Sequence, residues 1–279
     1  MPKATLGEFQ LYYEEHGAGE PLLLVLPSWW TCDTWKVGVL PRLAEGWRTI
    51  IFDNRGAGRS GRPKGGYRVP QFARDAADLL SNLGIPRCHV AGFALGGTVA
   101  EALAIERPDL VATLTLAGVG PGELAPPGSA AEWRDEREIR EQGFERYIRA
   151  HVENDRTAFS SAFYRDHIDT VKALGDALWA GQTEPEHLRG HHEARSTWDT
   201  LFNAPRVAMK TLVLCGSADD VARGKNSSPA ATARRLAGLI ADAELALVPE
   251  VRHMTFWDGD GALSRFTEFL ARHPIDKLQ

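Results

Sequence analysis

An α/β fold, with a mostly parallel sheet and helices on both of its faces, is what this sequence predicts. Three observations carry the prediction. Short, continuous apolar runs of strand length recur along the chain, with Leu22–Leu26 the clearest. Segments with apolar residues at helical spacing separate them, as in Phe72, Ala76, Leu79, Leu80 and Leu83. At 279 residues and 43% hydrophobic, the chain is long and apolar enough to build one large core. Alternation of buried strands with helices implies parallel strands joined by helical crossovers.

The elements follow in order. Phe9 to Glu14 reads as a strand that ends at the turn His16-Gly17-Ala18-Gly19. Leu22 to Leu26 reads as a strand buried on both faces. Trp35 to Glu45 is expected to be helical, and Arg48 to Asp53 to be a second buried strand. Gln71 to Leu83 is an amphipathic helix stopped by Gly84. Cys88 to Gly92 is a strand, Leu95 to Glu106 a helix closed by Pro108, and Ala112 to Ala117 a strand. A last group comprises Thr211 to Gly216, Ala230 to Ile240, Glu244 to Pro249 and Ala262 to Ala271, alternately strand and helix.

Between Gly118 and Met209 this alternation stops. The stretch opens with Pro121, Pro126, Pro127 and Gly128, then continues as charged, helix-compatible sequence with scattered aromatics. It is expected to be a helical insertion lying on the sheet.

Composition excludes several function classes. Lys and Arg number 32 against 37 Asp and Glu, a net charge of −5, which argues against nucleic acid as a partner. Three cysteines, Cys32, Cys88 and Cys215, are too few and too scattered for a disulfide framework or a cysteine zinc site. The longest apolar run is of strand length, so no membrane span is expected. The first residues lack a basic region followed by an apolar stretch, so a cytoplasmic location is expected.

The sharpest motif is Gly92-Phe93-Ala94-Leu95-Gly96-Gly97 at a strand-to-helix junction. Small residues there let the chain turn sharply and let the helix pack close to the strand. The frame is that of a Gly-x-Ser-x-Gly nucleophile elbow, with Ala94 where the hydroxyl would stand. Further along lie Phe52-Asp53-Asn54-Arg55-Gly56-Ala57-Gly58-Arg59-Ser60, Gly216-Ser217-Ala218-Asp219 after an apolar strand, and Val251-Arg252-His253-Met254 after another.

In these four motifs and their order the chain resembles the α/β-hydrolase superfamily, with its small esterase and enol-lactonase branch the nearest in flavour. The resemblance spans nearly the whole chain. It implies an α/β-hydrolase fold, with residues 1–119 and 206–279 as core and 120–205 as a helical cap, or lid, inserted before the catalytic-acid strand. It implies the nucleophile position at Ala94, the catalytic acid at Asp219 and the catalytic histidine at His253. Asp219 is preferred over Asp220 because it holds the Gly-x-x-Asp position. By position, the N–H groups of Leu95 and Trp29 are expected to form the oxyanion hole. The loop carrying Trp29 reads Pro27-Ser28-Trp29-Trp30, where the family usually has His-Gly. Ser28, Trp30, Phe93, Met254 and Trp257 are candidate pocket residues.

Other groups are expected to be structural. Asp53 and Arg55 tie their loop beneath the site. His191 and His192 are expected to be solvated on the insertion, with no carboxylates at metal-ligand spacing. Trp133, Trp179 and Trp198 are expected in the core of the insertion, and Cys32 as an inert buried thiol. No cofactor and no metal are required by the chemistry of such a triad.

Three readings of Ala94 compete. The first is a serine-type hydrolase of a hydrophobic ester or lactone, held inactive by a change of serine to alanine. The second is a natural non-hydrolytic enzyme (a lyase, isomerase, cyclase or cofactor-free catalyst) using His253 and Asp219 as general base. The third is a receptor that binds a small molecule without turnover. The first is favoured, because the whole esterase-like setting surrounds one missing oxygen.

Overall fold

The computed structural model describes residues 2–27, 29–121, 139, 141–153, 158–181, 186–219 and 228–275. Eight strands form one sheet in the order β1-β2-β4-β3-β5-β6-β7-β8. They are β1 (Lys3–Leu6), β2 (Phe9–His16), β3 (Glu20–Val25), β4 (Trp47–Phe52), β5 (Cys88–Phe93), β6 (Val111–Ala117), β7 (Thr211–Gly216) and β8 (Ala243–Val248). β1 and β2 pair antiparallel and β2 joins β4 antiparallel, whereas the pairings from β4 through β8 are parallel. This is the α/β-hydrolase fold that the sequence led us to expect.

The apolar runs become strands because both faces of the sheet are covered. Along β3, Leu23 and Val25 enter the core layer on one face, while Leu22 and Leu24 enter the layer on the other. On the first face lie α3 (Val69–Asn82), α4 (Leu95–Glu106) and α10 (Pro229–Leu239), contributing Phe72, Leu103 and Leu236. On the second lie α1 (Asp33–Lys36), α2 (Leu40–Leu43) and α11 (Asp260–Arg272), contributing Trp35, Leu43 and Phe266. Between β6 and β7 the described residues include α5 (Phe144–Ala150), α6 (Ser161–Asp166), α7 (Ile168–Ala180), α8 (Glu186–Arg195), α9 (Thr200–Asn203) and a 3₁₀ turn at Ala204–Arg206. No strand occurs there among the described residues.

The structure corrects the sequence reading at two elements. The expected helix over Trp35–Glu45 is two single turns, α1 and α2. Val37 is extended and Gly38 takes a φ of 79°, which breaks the helix between them. β1 was not expected: its run is short, and only alternate residues, Ala4 and Leu6, are buried.

The strand order reverses at β3, which has β4 on one side and β5 on the other. In a doubly wound sheet, the loops leaving the carboxyl ends of such a pair diverge and open a crevice. Val25 of β3 pairs with Gly92 of β5, so the loop carrying Trp29 and the junction carrying Ala94 leave the same edge side by side. Gly216 of β7 pairs with Val248 of β8, which sends the loops of Asp219 and His253 out at that edge too.

Candidate active site

The junction between β5 and α4 is strained at one residue. Ala94 has φ 50° and ψ −120°, a region that a residue bearing a Cβ rarely visits. It is held there by its N–H, which donates to the Ala117 carbonyl at 2.9 Å, and by its own carbonyl, which accepts from Gly97 N at 3.0 Å. Close approach explains the flanking glycines. A Cβ on Gly92 would strike the Gly96 carbonyl, and one on Gly96 would strike the Val25 carbonyl. Thus α4 begins in backbone contact with the end of β3. Leu95 is the first residue of α4, so its N–H has no carbonyl one turn earlier to bond and lies at the positive end of the helix dipole.

The loops after β7 and β8 bring a carboxylate and an imidazole together. His253 Nδ1 lies 2.9 Å from Asp219 Oδ2. Asp219 is fully buried, while the His253 side chain keeps 28% of its surface exposed. A buried carboxylate at one ring nitrogen fixes the proton on Nδ1 and leaves Nε2 as the acceptor. The ring of His253 rests against Phe93, with centroids 5.1 Å apart. The Cys215 thiol lies 3.7 Å from the same Asp219 oxygen; burial and that neighbouring carboxylate push its pKa well up. Asp219 Oδ1 has no hydrogen-bond partner among the described residues. Asp220 lies outside the described residues.

Trp29 and Trp30 follow β3 in a tight turn, with Trp30 N donating to the Pro27 carbonyl at 3.0 Å. Ser28 lies outside the described residues. Trp30, Phe93 and Trp257 form one aromatic cluster, with centroid separations of 5.5–6.2 Å. Trp257 is anchored: it stacks on Trp35, and its indole N–H donates to the Val37 carbonyl at 2.9 Å. Met254 is buried, and its N–H donates to the Ala158 carbonyl at 2.8 Å. The Trp29 ring meets the edge of His151, just past α5.

Beneath these loops, the buried Asp53 carboxylate accepts from Cys32 N at 2.7 Å and from Arg59 N at 2.9 Å. It therefore joins the loop after β3 to the loop after β4. Arg55 makes a two-pronged ion pair with Asp75 of α3, at 2.5 and 2.6 Å. Cys32 is buried, and burial beside Asp53 raises its pKa steeply. Glu14, Cys32 and Asp33 converge closely enough to suggest a cation site. The chain's own Lys36 bridges the two carboxylates at 2.6 and 2.7 Å, and a thiol held protonated is a poor ligand.

Three placements differ from expectation or went unread in the sequence. His191 is not solvated: it is fully buried, with its ring against Tyr67 and Phe72. The apolar partners come from another part of the chain, which the polar local composition concealed. Trp198 is buried and donates its indole N–H to Glu101 Oε2 at 2.8 Å, pairing with a fully buried glutamate inside α4. Asp258 is buried and takes three hydrogen bonds around the His253 loop. Trp179 packs edge-on against Phe144, and Trp133 lies outside the described residues. Among the described residues, no helix is long and apolar enough to cross a membrane.

Known proteins share this architecture along its whole length. A Synechocystis sp. protein, provisionally named a non-heme chloroperoxidase, is 29% identical over 276 residues, covering 92% of this chain and 95% of that one. A thermophilic esterase from Thermogutta terrifontis superposes with a TM-score of 0.82 at 24% identity, over 97% of each chain. The enol-lactonase of Burkholderia xenovorans LB400 superposes with a TM-score of 0.80 at 22% identity, over 97% of this chain and all of that one. The family model described as alpha/beta hydrolase fold matches residues 16–260, and the chain belongs to that family.

Proposed function

We propose that the site is built for serine-type hydrolysis of a hydrophobic ester or lactone, with position 94 as the nucleophile position and alanine now occupying it. The observation that carries this reading is the 2.9 Å pairing of His253 with buried Asp219, retained alongside the strained elbow at Ala94. A hydroxyl at position 94 would lose its proton to His253 Nε2 as its oxygen attacks the substrate carbonyl. Asp219 would hold the resulting imidazolium. The Leu95 and Trp29 N–H groups would receive the oxyanion. The insertion, residues 120–205, would act as a cap over this crevice, with α5 to α9 as its described helices. Trp30, Phe93, Met254 and Trp257 supply an apolar wall suited to a hydrophobic acyl or ring portion. With a methyl group at position 94, no acyl-enzyme can form and a bound ester survives.

A second reading takes support from the same pair. His253 and Asp219 keep their geometry without a hydroxyl to activate, as a general base acting directly on substrate would require. That would make the chain a non-hydrolytic enzyme performing proton abstraction, elimination or cyclisation. A receptor that only binds its ligand gives the pair no task.

Ala94→Ser separates the readings. Restored hydrolysis of activated short-chain esters, by a factor on the order of 10⁵ to 10⁶, is expected for the hydrolase. His253→Ala in that background should remove the gain. An Ala94→Ser protein that stays folded and shows no hydrolysis would overturn the hydrolase reading.

A further inference from the structure

We propose that Asp258 is a positioning residue that ties the seating of the Ala158–Ser160 segment to the alignment of His253. The inference rests on the reading of His253 as the base of the site, and concerns how that base is held in place.

Asp258 is 3% exposed. Its Oδ2 accepts from Arg252 N at 2.9 Å, one residue before His253, and from Ser160 N at 2.7 Å. Its Oδ1 accepts from the Ser160 hydroxyl at 2.6 Å. One oxygen therefore joins the histidine loop to the insertion between β6 and β7. On the other flank of His253, Met254 N donates to the Ala158 carbonyl at 2.8 Å. The backbone N–H groups on both sides of His253 are thus satisfied by the insertion or by the carboxylate that grips it.

A tight turn makes this possible. Thr255 N donates to the His253 carbonyl at 2.6 Å, and Asp258 N to the Met254 carbonyl at 2.8 Å. The turn brings residue 258 back beside residue 252. The core holds the His253 side chain through the Asp219 bond and the Phe93 ring, and holds the loop two residues earlier, where the Val251 carbonyl accepts from Ala218 N at 3.0 Å. When the Ala158–Ser160 segment leaves, Asp258 loses two of its three partners and Met254 N loses its acceptor. A buried carboxylate stripped of donors then seeks water, and the loop carrying His253 moves with it. Seating of the Ala158–Ser160 segment and alignment of the base become one event.

The test reads His253 directly. A histidine Nδ1 proton shared with a carboxylate gives a far-downfield proton NMR signal, identified here by its loss in His253→Ala. The chain should show that signal. Ser160→Ala, which touches neither His253 nor Asp219, should speed its exchange with water about tenfold, and Asp258→Asn should abolish it. Ser160 Oγ also caps α6, accepting from Phe163 N at 3.2 Å, so thermal stability is followed in parallel. In an Ala94→Ser background, both variants should lower kcat about tenfold to a hundredfold, with KM little changed. An unchanged signal in Ser160→Ala and in every folded Asp258 variant, with only the melting temperature lowered, overturns the proposal. A chain with no such signal overturns the reading of His253 itself, and this proposal with it.

Discussion

His253 and Asp219, 34 residues apart in sequence, meet at 2.9 Å because β7 and β8 are neighbours and end level with each other. The carboxylate is buried and the imidazole reaches toward solvent. Such an arrangement stabilises a positive charge on the ring only while the acid is ionised. Asp219→Asn in an Ala94→Ser background should therefore keep the shape and lose the chemistry. Turnover of an activated ester should fall about 10³- to 10⁴-fold, with the circular dichroism spectrum unchanged. A loss below tenfold would mean that the pair is structural.

The strain at Ala94 predicts a stability change. A φ of 50° with ψ −120° suits glycine far better than alanine. Ala94→Gly relieves about 1–3 kcal/mol of strain and gives back part of it in chain entropy. A net gain of about 1 kcal/mol is expected, read as a higher urea midpoint with the same slope. A lower midpoint would show that the alanine methyl is held by packing.

The elbow also predicts an intolerance. A Cβ on Gly96 would meet the Val25 carbonyl and, 2.6 Å away, the Leu26 carbonyl, both backbone atoms of the neighbouring strand end. Neither can swing aside as a side-chain tip could. Gly96→Ala should cost about 3 kcal/mol or prevent folding, measured by chemical denaturation. Gly238→Ala, where an added Cβ meets nothing within 4 Å and the backbone is not left-handed, provides a control for crowding.

Glu101 predicts the sign of a pH effect. It is fully buried in α4 beneath Trp198, and burial pushes its carboxyl up to about 8, with Asp199 adding to the rise. The Trp198 indole, Thr200 and Arg206 pull the other way. The folded chain thus keeps a proton that the unfolded chain releases near pH 4.5. Stability should fall as pH rises from about 4.5 to about 8, and the full penalty, a few kcal/mol, should stand above that. Glu101→Gln carries no such proton and should flatten the slope. Urea midpoints at about pH 5 and about pH 9 measure it. Equal pH slopes in the two proteins would contradict the assignment.

The sequence alone determined seven of the eight strands, their bounds to within two residues, and the elbow frame with alanine at position 94. The run Leu22–Leu26 reads as a strand buried on both faces and falls within two residues of β3, and Thr211–Gly216 and Leu95–Glu106 came out at their observed bounds. Short-range order is legible in this way because apolar periodicity reports how many faces of an element are covered. Periodicity does not report who stands on the other side. The burial of His191 against Tyr67 and Phe72, the capture of Glu101 by Trp198 and the threefold grip of Asp258 depend on partners about 90 to 125 residues away, or on a turn that folds back on itself. The same limit applied to the helix expected at Trp35–Glu45, where a left-handed glycine divided a convincing apolar pattern. The motifs that resemble the α/β-hydrolase family named Asp219 and His253 as candidates. Only the parallel pairing of β7 with β8, set by long-range packing, decided that the carboxylate and the imidazole stand 2.9 Å apart.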